Sequence, residues 1–514
     1  IRMRSLTLFA ILCVAIVAAD MPNIWPLPKE YKHGDKTVTV DAYHFRFSTP
    51  AQSNELISAF QRYYDLVFDR KSEIVEQGIR QARVTVKEDK TELQLGIDES
   101  YTLEIPEDGS DIVITAVNAF GAMHGLETLS QLIEFDFDSL TYVIRNAPWV
   151  INDAPRFPHR GILMDTSRHY ESLPSIKRLI DSMTYAKLNV LHWHLTDSQS
   201  NPTQSEAFPK WWEGSYTPME RYSIMDLEEI VEYARMRGIR VVPELDVPGH
   251  EASWCKGYPE VCPSETCFEP LDPTSEKTWE LIQGVLDEWS GKEQGKGIFF
   301  DNYFHMGGDE VDTNCWKTTQ HVVEWMKQNN FTDHDTYKYF VKKVHEMVMG
   351  NQRNGIYWEE VWLNFGTNLD KSTIIETWMN KKTMKSVVEN GYRVIISDPI
   401  MYLDHLDQTW INIYKDEPFE FTDVPAEQEL VLGGEACMWA ETVDVSDLYN
   451  TVWPRAGAFA ERYWSPREVN DVDAAHGRYM HFRCLLNKRG VPAAPANNER
   501  GRSAPSGPGS CYAQ

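Results

Sequence analysis

The sequence predicts an α/β protein in which a small α/β domain precedes a (β/α)8 TIM barrel. From residue 160 onward, short strand-like runs alternate with amphipathic helical segments, a pattern typical of a parallel sheet. Eight such runs occur over about 300 residues, which matches the strand number of a (β/α)8 barrel. Polar and aromatic residues follow each run, as at the catalytic end of such barrels. An open doubly wound sheet is the alternative, although no GxGxxG motif follows the first run.

The small domain is expected over residues 20–155, and the barrel with its C-terminal tail over 156–514. In the first domain, apolar and polar residues alternate in several runs, and apolar residues recur at helical spacing from 126 to 133. A Pro-bearing stretch at 148–158 marks the boundary. The strands of this domain are expected at 37–48, 93–97, 101–105 and 111–117.

Helix signals separate the strands of the predicted barrel. The segment 172–186 has one apolar face and Pro174 in its first turn. Ser223 and Asp226 form a capping-box pattern before the next helix, and Gly238 ends it. The eight strands are expected at 161–166, 189–195, 239–245, 303–306, 356–360, 373–378, 393–397 and 430–436.

Residues 1–19 have the pattern of a secretory signal peptide. Arg2 and Arg4 precede an apolar run from Leu6 to Ala19, which ends in small residues. The run is short for a membrane span, and an N-terminal anchor is the alternative. We therefore expect the chain to enter the secretory pathway and to reach a lysosomal or extracellular compartment.

The composition excludes several classes of partner. The 514 residues include 50 Lys and Arg against 77 Asp and Glu, a formal net charge of −27. Such an acidic chain lacks the basic surface that nucleic acid requires, and anionic membrane surfaces repel it. No segment after residue 19 is apolar enough to span a membrane. We expect no nucleic-acid partner and no membrane span.

Eight cysteines are present, and Cys13 leaves with the signal peptide. The remaining seven suggest three disulfides and one free thiol in an oxidising compartment. Cys437 lies in an apolar strand-like run and is expected to be the free thiol. Cys484 and Cys511 would hold the Gly/Pro-rich tail. Asn330 begins an N-x-T sequon and is the candidate glycosylation site.

The pair Asp309–Glu310 follows the fourth strand and is the most informative acidic pair. Neighbours in a strand point to opposite faces, so both can enter one site only if the chain turns there. Gly307 and Gly308 permit such a turn. Two close carboxylates push their pKa values apart, and one can then stay protonated as a general acid. A solvated loop pair is the alternative.

Other strand ends carry residues suited to a polar ligand with an apolar group. Arg168 follows the first strand and can make bidentate contacts with hydroxyls or a carboxylate. A structural ion pair is its alternative. Trp358, Trp378 and Trp439 follow strands five, six and eight, whose ends converge in a barrel. The three rings could enclose one small apolar group, although each alone is more often a core residue.

His192 and His194 raise the alternative of a metal-dependent hydrolase, because an HxH pair at a strand end can bind a metal. Alternate residues of a strand point the same way, so both side chains could equally face the core. Strands five and six end in Trp and Glu rather than His, so the other expected ligands are missing. We expect neither a metal nor a cofactor.

Six segments together resemble glycoside hydrolase family 20, in particular the lysosomal and secreted β-N-acetylhexosaminidases of eukaryotes. The likeness extends from about residue 22 to 511. It implies a small α/β domain before a (β/α)8 barrel, in agreement with the pattern above. The segments are RGILMDTSRHY (160–170), KLNVLHWHLTD (187–197), YARMRGIRVVPELDVPGH (233–250), HMGGDEV (305–311), GGEACMWAE (433–441) and WPRAGAFAERYW (453–464).

The resemblance implies a substrate-assisted mechanism, in which the 2-acetamido oxygen of the substrate attacks C1. Glu310 would be the acid and then the base, and Asp309 would stabilise the acetamido N–H. Further roles implied by the resemblance belong to the residues around them. Tyr402 would bind the acetamido oxygen, and the acetamido methyl would be enclosed by Trp358, Trp378 and Trp439. The sugar hydroxyls would be bound by Arg168, Glu441 and Asp404. The residues that would support these contacts are Asp197, Asp246 and His250.

The resemblance also bears on disulfides, partners and specificity. It implies bridges Cys267–Cys315 and Cys484–Cys511, with Cys255–Cys262 as an addition in this chain. It implies a homodimer and a substrate that ends in N-acetylhexosamine, either an oligosaccharide or a glycoconjugate. Ser198 and Asn201 depart from the family pattern in the loop after strand two, which leaves the aglycone preference open.

The leading hypothesis is therefore an exo-β-N-acetylhexosaminidase that retains configuration. A non-catalytic carbohydrate-binding protein on the same barrel is the rival, and Asp309 with Glu310 argues against it, since binding alone needs no proton donor. The metal-dependent hydrolase is the third hypothesis.

Overall fold

The computed structural model describes residues 21–291 and 297–496, and all structural statements below concern these residues. The expected signal peptide, 1–19, and Cys511 lie outside them. The strands are β1 (Glu30–Val40), β2 (Arg46–Ser48), β3 (Gln81–Val86), β4 (Tyr101–Ile105), β5 (Ile112–Ala116), β6 (Ile133–Asp136), β7 (Thr141–Asp153), β8 (His159–Asp165), β9 (Val190–His194), β10 (Arg240–Glu244), β11 (Tyr303–His305), β12 (Asn354–Trp358), β13 (Ile374–Thr377), β14 (Arg393–Ile396) and β15 (Val431–Met438). The helices are α1 (Asn54–Val67), α2 (Ala119–Leu132), α3 (Leu173–Tyr185), α4 (Ile224–Arg235), α5 (Glu276–Ser290), α6 (Asn314–Thr318), α7 (Gln320–Asn329), α8 (Asp333–Gly350), α9 (Glu359–Phe365), α10 (Lys381–Glu389), α11 (Trp410–Lys415), α12 (Pro425–Gln428), α13 (Leu448–Val452), α14 (Arg455–Trp464) and α15 (Val472–Lys488).

The small domain is a seven-stranded mixed sheet with strand order β1-β7-β4-β5-β3-β2, and β6 pairs with β7. Helix α2 packs on this sheet and on α3 of the barrel, and every one of its 14 residues is buried. It begins at Asn118, whose side chain accepts from the N–H groups of Phe120 and Gly121. A helix that is buried all round needs partners on both faces, and α2 finds them in the two domains.

The strands β8 to β15 close into a parallel barrel, which confirms the predicted fold class. At its N-terminal end, the inward side chains form an apolar cluster of branched residues. Above this cluster, five inward residues form a layer that we call the charged layer. Its members, which are all buried, are His192, Glu244, His305, Glu376 and Glu435.

All eight predicted barrel strands are present, but some ends differ. The predicted run 356–360 contains the end of β12 at Trp358 and then the start of α9, so Glu359 and Glu360 are helical. Helix α3 and the capping box of α4, made by Ser223 and Asp226, agree with the prediction.

Two predicted strands of the small domain are wrong. The run 37–48 divides into β1 and β2, because the backbone bends at Asp41, whose carboxylate binds the Arg80 Nε at 2.8 Å. Residues 93–97 form no strand. The Gln94 side chain instead bonds the barrel backbone, with Nε2 donating to the oxygen of Phe300 at 2.8 Å. Elements α1, β3, β6 and β7 were not predicted.

Buried ion pairs join the two domains. Arg160 of β8 binds Glu99 with bonds of 2.7 and 3.0 Å, and both side chains are buried. Lys187 Nζ lies 3.0 Å from Asp153 Oδ2, and neither side chain reaches solvent. Removing one partner of such a pair leaves an uncompensated buried charge, so these contacts fix the relative position of the domains.

The structure also bears on the predicted disulfides, the predicted free thiol and the predicted absence of a membrane span. Disulfides join Cys255 to Cys262 and Cys267 to Cys315, and Cys437 is free and buried. The third expected bridge reaches Cys511, which lies outside the described residues. Within 21–291 and 297–496, no helix combines the length and apolarity needed to cross a membrane.

Candidate active site

A cavity of about 430 Å³ opens at the C-terminal ends of the barrel strands. It contains ten of the twelve residues to which the sequence analysis gives a role in the site. Of the other two, Asp197 lies against Arg168, and Asp246 accepts from the backbone N–H of Gly308 at 3.0 Å. His405 and Thr442, which were not among the expected site residues, also line it. The full lining is Arg168, His250, Asp309, Glu310, Trp358, Trp378, Tyr402, Asp404, His405, Trp439, Glu441 and Thr442.

The chain turns after β11, so that Asp309 and Glu310 both reach this cavity. Gly307 and Gly308 have φ angles of 58° and 89°, which glycine adopts readily. A Cβ on Gly307 would lie 1.7 Å from Asp246 Oδ1, so this position also demands glycine for space. Glu310 itself has a φ of 47°, a costly conformation for a residue with a Cβ.

The two carboxyl groups have different surroundings. The side chain of Asp309 is 14% exposed and that of Glu310 is 60% exposed. Burial raises the pKa of Asp309 well above its ordinary value, and the neighbouring charge of Asp246 adds to this. The buried Asp309 Oδ1 has no hydrogen-bond partner in the described protein. A buried acceptor without a partner is suited to a donor group on a ligand.

His250 connects the acids. Its Nε2 lies 3.5 Å from Asp309 Oδ2 and 3.7 Å from Glu310 Oε2, and its Nδ1 lies 3.5 Å from Asp197 Oδ1. Burial alone would lower the pKa of His250, but the negative charges of Asp246, Asp309 and Asp197 outweigh it and raise the pKa to about 12. His250 is therefore an imidazolium that places positive charge beside both acids.

Arg168 is fixed by several partners around its guanidinium. Nη2 lies 2.7 Å from Asp197 Oδ2, Nη1 lies 3.1 Å from Asp165 Oδ2, and Nε donates to Gln199 at 3.2 Å. The group also lies over the ring of Trp439, 5.2 Å from its centroid. These contacts fix the guanidinium, so that its remaining N–H groups point toward the cavity. Glu441 Oε1 lies there, 3.7 Å from Nη1.

Four aromatic rings form one wall of the cavity, which we call the aromatic box. The centroids of Trp358 and Trp439 are 5.9 Å apart, and those of Tyr402 and Trp439 are 6.4 Å apart. Trp378 stacks on Tyr402 at 6.2 Å with an interplanar angle of 15°. The box encloses a small apolar space, and the hydroxyl of Tyr402 supplies a polar group at its edge.

Asp404 and Glu441 provide further acceptors in the cavity. Burial raises the pKa of Asp404, and its buried Oδ1 has no partner among the described residues. His405 Nε2 lies 3.6 Å from Asp404 Oδ2 at the exposed rim. These carboxyl oxygens can accept hydrogen bonds from ligand hydroxyls.

His192 and His194 lie below the cavity and contact carboxylates. His192 Nδ1 is 2.8 Å from Glu435 Oε2, and His194 Nε2 is 3.0 Å from Asp197 Oδ2. Burial opposes protonation, but Glu435 and Glu244 raise the pKa of His192, and Glu244 and Asp197 raise that of His194 to about 10. Both side chains thus lie buried in the barrel interior and pair with carboxylates, as the alternative in which they face the core expects.

The sequence reasoning missed three residues that hold the site. Asp165 anchors Arg168, Glu244 accepts from Trp358 Nε1 at 2.8 Å, and Glu360 accepts from Trp378 Nε1 at 3.0 Å. Glu244 lies two residues before Asp246, so strand alternation could have placed it on the same inward face. Glu360 lies in the polar segment at the end of the predicted fifth strand, but helix α9, which places it beside Trp378, was not predicted.

The arrangement therefore combines an exposed acid with a cationic neighbour, a buried acid with an unpartnered oxygen, and a small apolar box with a phenol at its edge. This combination suits proton transfer to a ligand that carries both hydroxyl groups and a compact substituent with an N–H donor and an apolar end.

Comparisons with known proteins agree with this site. A family model described as "Glycosyl hydrolase family 20, catalytic domain" matches residues 157–467, and one described as "beta-acetyl hexosaminidase like" matches 24–132. The chain is 44% identical to Beta-hexosaminidase 1 of Arabidopsis thaliana, over 97% of this chain and 95% of the relative. It is 38% identical to Beta-hexosaminidase subunit alpha of Bos taurus, over 95% and 96%. The solved chitobiase of Flavobacterium johnsoniae is 28% identical with a TM-score of 0.80, over 91% of this chain and 73% of that one.

Proposed function

The chain belongs to glycosyl hydrolase family 20, and we propose on that premise that it is an exo-β-N-acetylhexosaminidase. It hydrolyses terminal non-reducing β-linked N-acetylglucosamine or N-acetylgalactosamine with retention of configuration. The observation that carries the proposal is the unpartnered Asp309 Oδ1, which shares one cavity with the aromatic box and with Glu310. An acetamido group has an N–H for this oxygen and a methyl for the box.

In the first step, the acetamido oxygen of the bound sugar attacks C1 and forms an oxazolinium ion. The bond from C1 to the glycosidic oxygen breaks, and Glu310 gives its proton to that oxygen, so the aglycone leaves as an alcohol. Asp309 accepts from the acetamido N–H through its unpartnered Oδ1 and stabilises the positive charge that develops there. Tyr402 donates to the acetamido oxygen and orients it, and the aromatic box holds the methyl.

In the second step, water attacks C1 from the side that the aglycone left. Glu310, now a carboxylate, takes a proton from this water, and the acetamido group re-forms. Two inversions at C1 give net retention. Charged His250 lies 3.5 Å from Asp309 Oδ2, and its positive charge favours the carboxylate form of Asp309.

Arg168 and the acceptors Asp404 and Glu441 bind the sugar ring. Arg168 and Glu441 contact the 3- and 4-hydroxyls, and Asp404 contacts the outer hydroxyls through its unpartnered oxygen. Asp197, Asp246 and His250 hold these groups in place. The substrate is an oligosaccharide or a glycoconjugate that ends in N-acetylhexosamine.

The finer organisation is part of the same proposal. The small domain spans 20–155 and the barrel 156–514, after a signal peptide at 1–19. Asn330 carries a glycan, since it lies exposed at the end of α7. The enzyme acts in the lysosome or outside the cell, as a homodimer.

The test uses aryl β-glycosides of N-acetylglucosamine, N-acetylgalactosamine and glucose, with a thiazoline analogue of the oxazolinium ion as inhibitor. We expect hydrolysis of the N-acetylated glycosides and strong inhibition by the thiazoline. Equal hydrolysis of the glucoside, or indifference to the thiazoline, would refute the acetamido-assisted mechanism. Binding of the sugar without hydrolysis would favour the non-catalytic alternative.

A further inference from the structure

Of the three tryptophans in the aromatic box, Trp378 has the least support from regular structure. Trp358 ends strand β12 and is 1% exposed. Trp439 directly follows β15, with His194 against its ring at 5.1 Å and Arg168 above it. Trp378 follows β13 in a loop and is partly exposed, and among residues 21–291 and 297–496 only Tyr402 stacks on its ring. An indole in such a position needs a contact at its edge to keep one orientation.

The start of α9 supplies that contact. Glu360 Oε2 accepts from the indole N–H of Trp378 at 3.0 Å. The preceding carboxylate, Glu359, accepts from the backbone N–H of Met379, the residue after Trp378. Two adjacent acids thus hold two adjacent residues of the loop, one by its side chain and one by its backbone. Because α9 starts directly after Trp358, one short segment both carries the ring of Trp358 and holds the ring of Trp378.

We propose that Glu360 is a positioning residue for the reaction, which fixes the indole of Trp378 against the acetamido methyl. Through the stacking of Trp378 on Tyr402, it also fixes the phenol that orients the attacking oxygen. Glu360 itself touches no substrate atom in this account. The inference rests on the proposed function, since the orientation of Trp378 matters only if an acetamido group binds in the box.

The surroundings of Glu360 suggest how to separate its charge from its role as an acceptor. The ionisable groups that face it are Asp309, Glu359 and Tyr337. Burial and the charge of Asp309 raise the pKa of Glu360 to about 7. Glu360→Gln keeps an oxygen acceptor without charge, whereas Glu360→Ala removes the acceptor. If the hydrogen bond to Trp378 positions the indole, Glu360→Ala weakens thiazoline inhibition and Glu360→Gln does not.

The experiment is a double-mutant cycle on the full chain, with Glu360→Ala, Glu360→Gln, Trp378→Phe and the double variant Glu360→Ala/Trp378→Phe. The readouts are the inhibition constant of the thiazoline analogue and kcat/KM on the aryl N-acetylglucosaminide. We expect Glu360→Ala to weaken thiazoline inhibition about fivefold, as loss of one hydrogen bond does. Glu360→Gln stays within about twofold of the wild type. Glu346→Ala, an exposed acid on α8, is the matched control.

In the Trp378→Phe background the donor is absent, so Glu360→Ala should have no further effect. The inference fails if Glu360→Ala behaves as the wild type, if its effect is the same in both backgrounds, or if Glu360→Gln is as impaired as Glu360→Ala. Should the alanine variant not fold, Glu360→Met keeps the side-chain length without a carboxylate and serves in the same cycle. A wild type that ignores the thiazoline would instead refute the proposed function.

Discussion

The indole N–H of Trp358 donates a 2.8 Å hydrogen bond to Oε1 of Glu244, and this bond joins the aromatic box to the charged layer inside the barrel. Glu244 also contacts three histidines, with His305 Nδ1 at 2.9 Å and His192 Nε2 at 3.2 Å. Burial would raise the pKa of Glu244, but the histidine charges hold it well below its ordinary value. The floor of the substrate cavity is thus held by a buried carboxylate rather than by apolar packing alone.

Two acids of the charged layer should respond differently to the same substitution. We expect Glu244→Gln to destabilise the protein by about 3 kcal/mol, because it leaves buried histidine charges without their carboxylate. Burial and the charge of Glu435 raise the pKa of Glu376 well above its ordinary value, so the folded state favours its neutral form. Glu376→Gln should therefore cost less than about 1 kcal/mol. Denaturant titrations at pH 7 measure the free energy of unfolding of both variants. Equal losses of stability would contradict the claim that Glu244 is charged and Glu376 is neutral in the folded protein.

Glu310→Gln should lower kcat by a factor of about 10² to 10⁴, the usual contribution of a general acid. The loss should be smaller for an aryl glycoside with an acidic phenol than for a disaccharide, because a good leaving group needs less protonation. Rates on both substrates measure this. Near-wild-type hydrolysis of the disaccharide would remove Glu310 from its proposed role.

Asp309→Asn should abolish activity and yet stabilise the protein at neutral pH. The folded-state pKa of Asp309 is raised above its ordinary value of 3.8, so the folded state disfavours the ionised form. The resulting penalty on stability is absent below about pH 4, where the carboxyl is protonated in both states, and it grows as the pH rises. We expect a melting temperature higher by about 1–3 °C at pH 7, with the gain disappearing at pH 4.

Asp407→Asn, on the exposed rim, is the control for this comparison. It should change the melting temperature at neither pH. A gain for Asp309→Asn of equal size at both pH values would show that its cause is not the ionisation of the carboxyl.

Arg168→Lys should reduce kcat/KM by about 10- to 100-fold, since charge-assisted hydrogen bonds contribute about 1.5–3 kcal/mol. A lysine cannot reproduce the planar fork that binds Asp165, Asp197 and Gln199 together. Arg178→Lys, at an exposed position of α3, is the matched control and should leave the kinetics unchanged. Steady-state rates on the aryl N-acetylglucosaminide measure both, and a similar loss in the two variants would argue against a specific role for Arg168.

The sequence predicted the barrel well because its strands are short, apolar and regularly spaced, and because polar residues mark their ends. It predicted the turn at Asp309 because Gly307 and Gly308 precede it. It missed Glu244 as a site residue: strand alternation with Asp246 indicates its inward face, but its bond to Trp358 depends on contacts between different strands. The prediction of a strand at 93–97 was wrong because Gln94, the polar side chain of this run, binds the barrel backbone and not a neighbouring strand.

The complete burial of α2 has a consequence for how this molecule can be altered. The helix has no solvent face, so its side chains must fit the sheet of the small domain and the outer helices of the barrel at the same time. A catalytic fragment that starts at residue 156 would lack this helix and would uncover Arg160 and Lys187 without their acids. An engineered form of the barrel should therefore retain the small domain, because α2 and the buried ion pairs make the stability of each domain depend on the other.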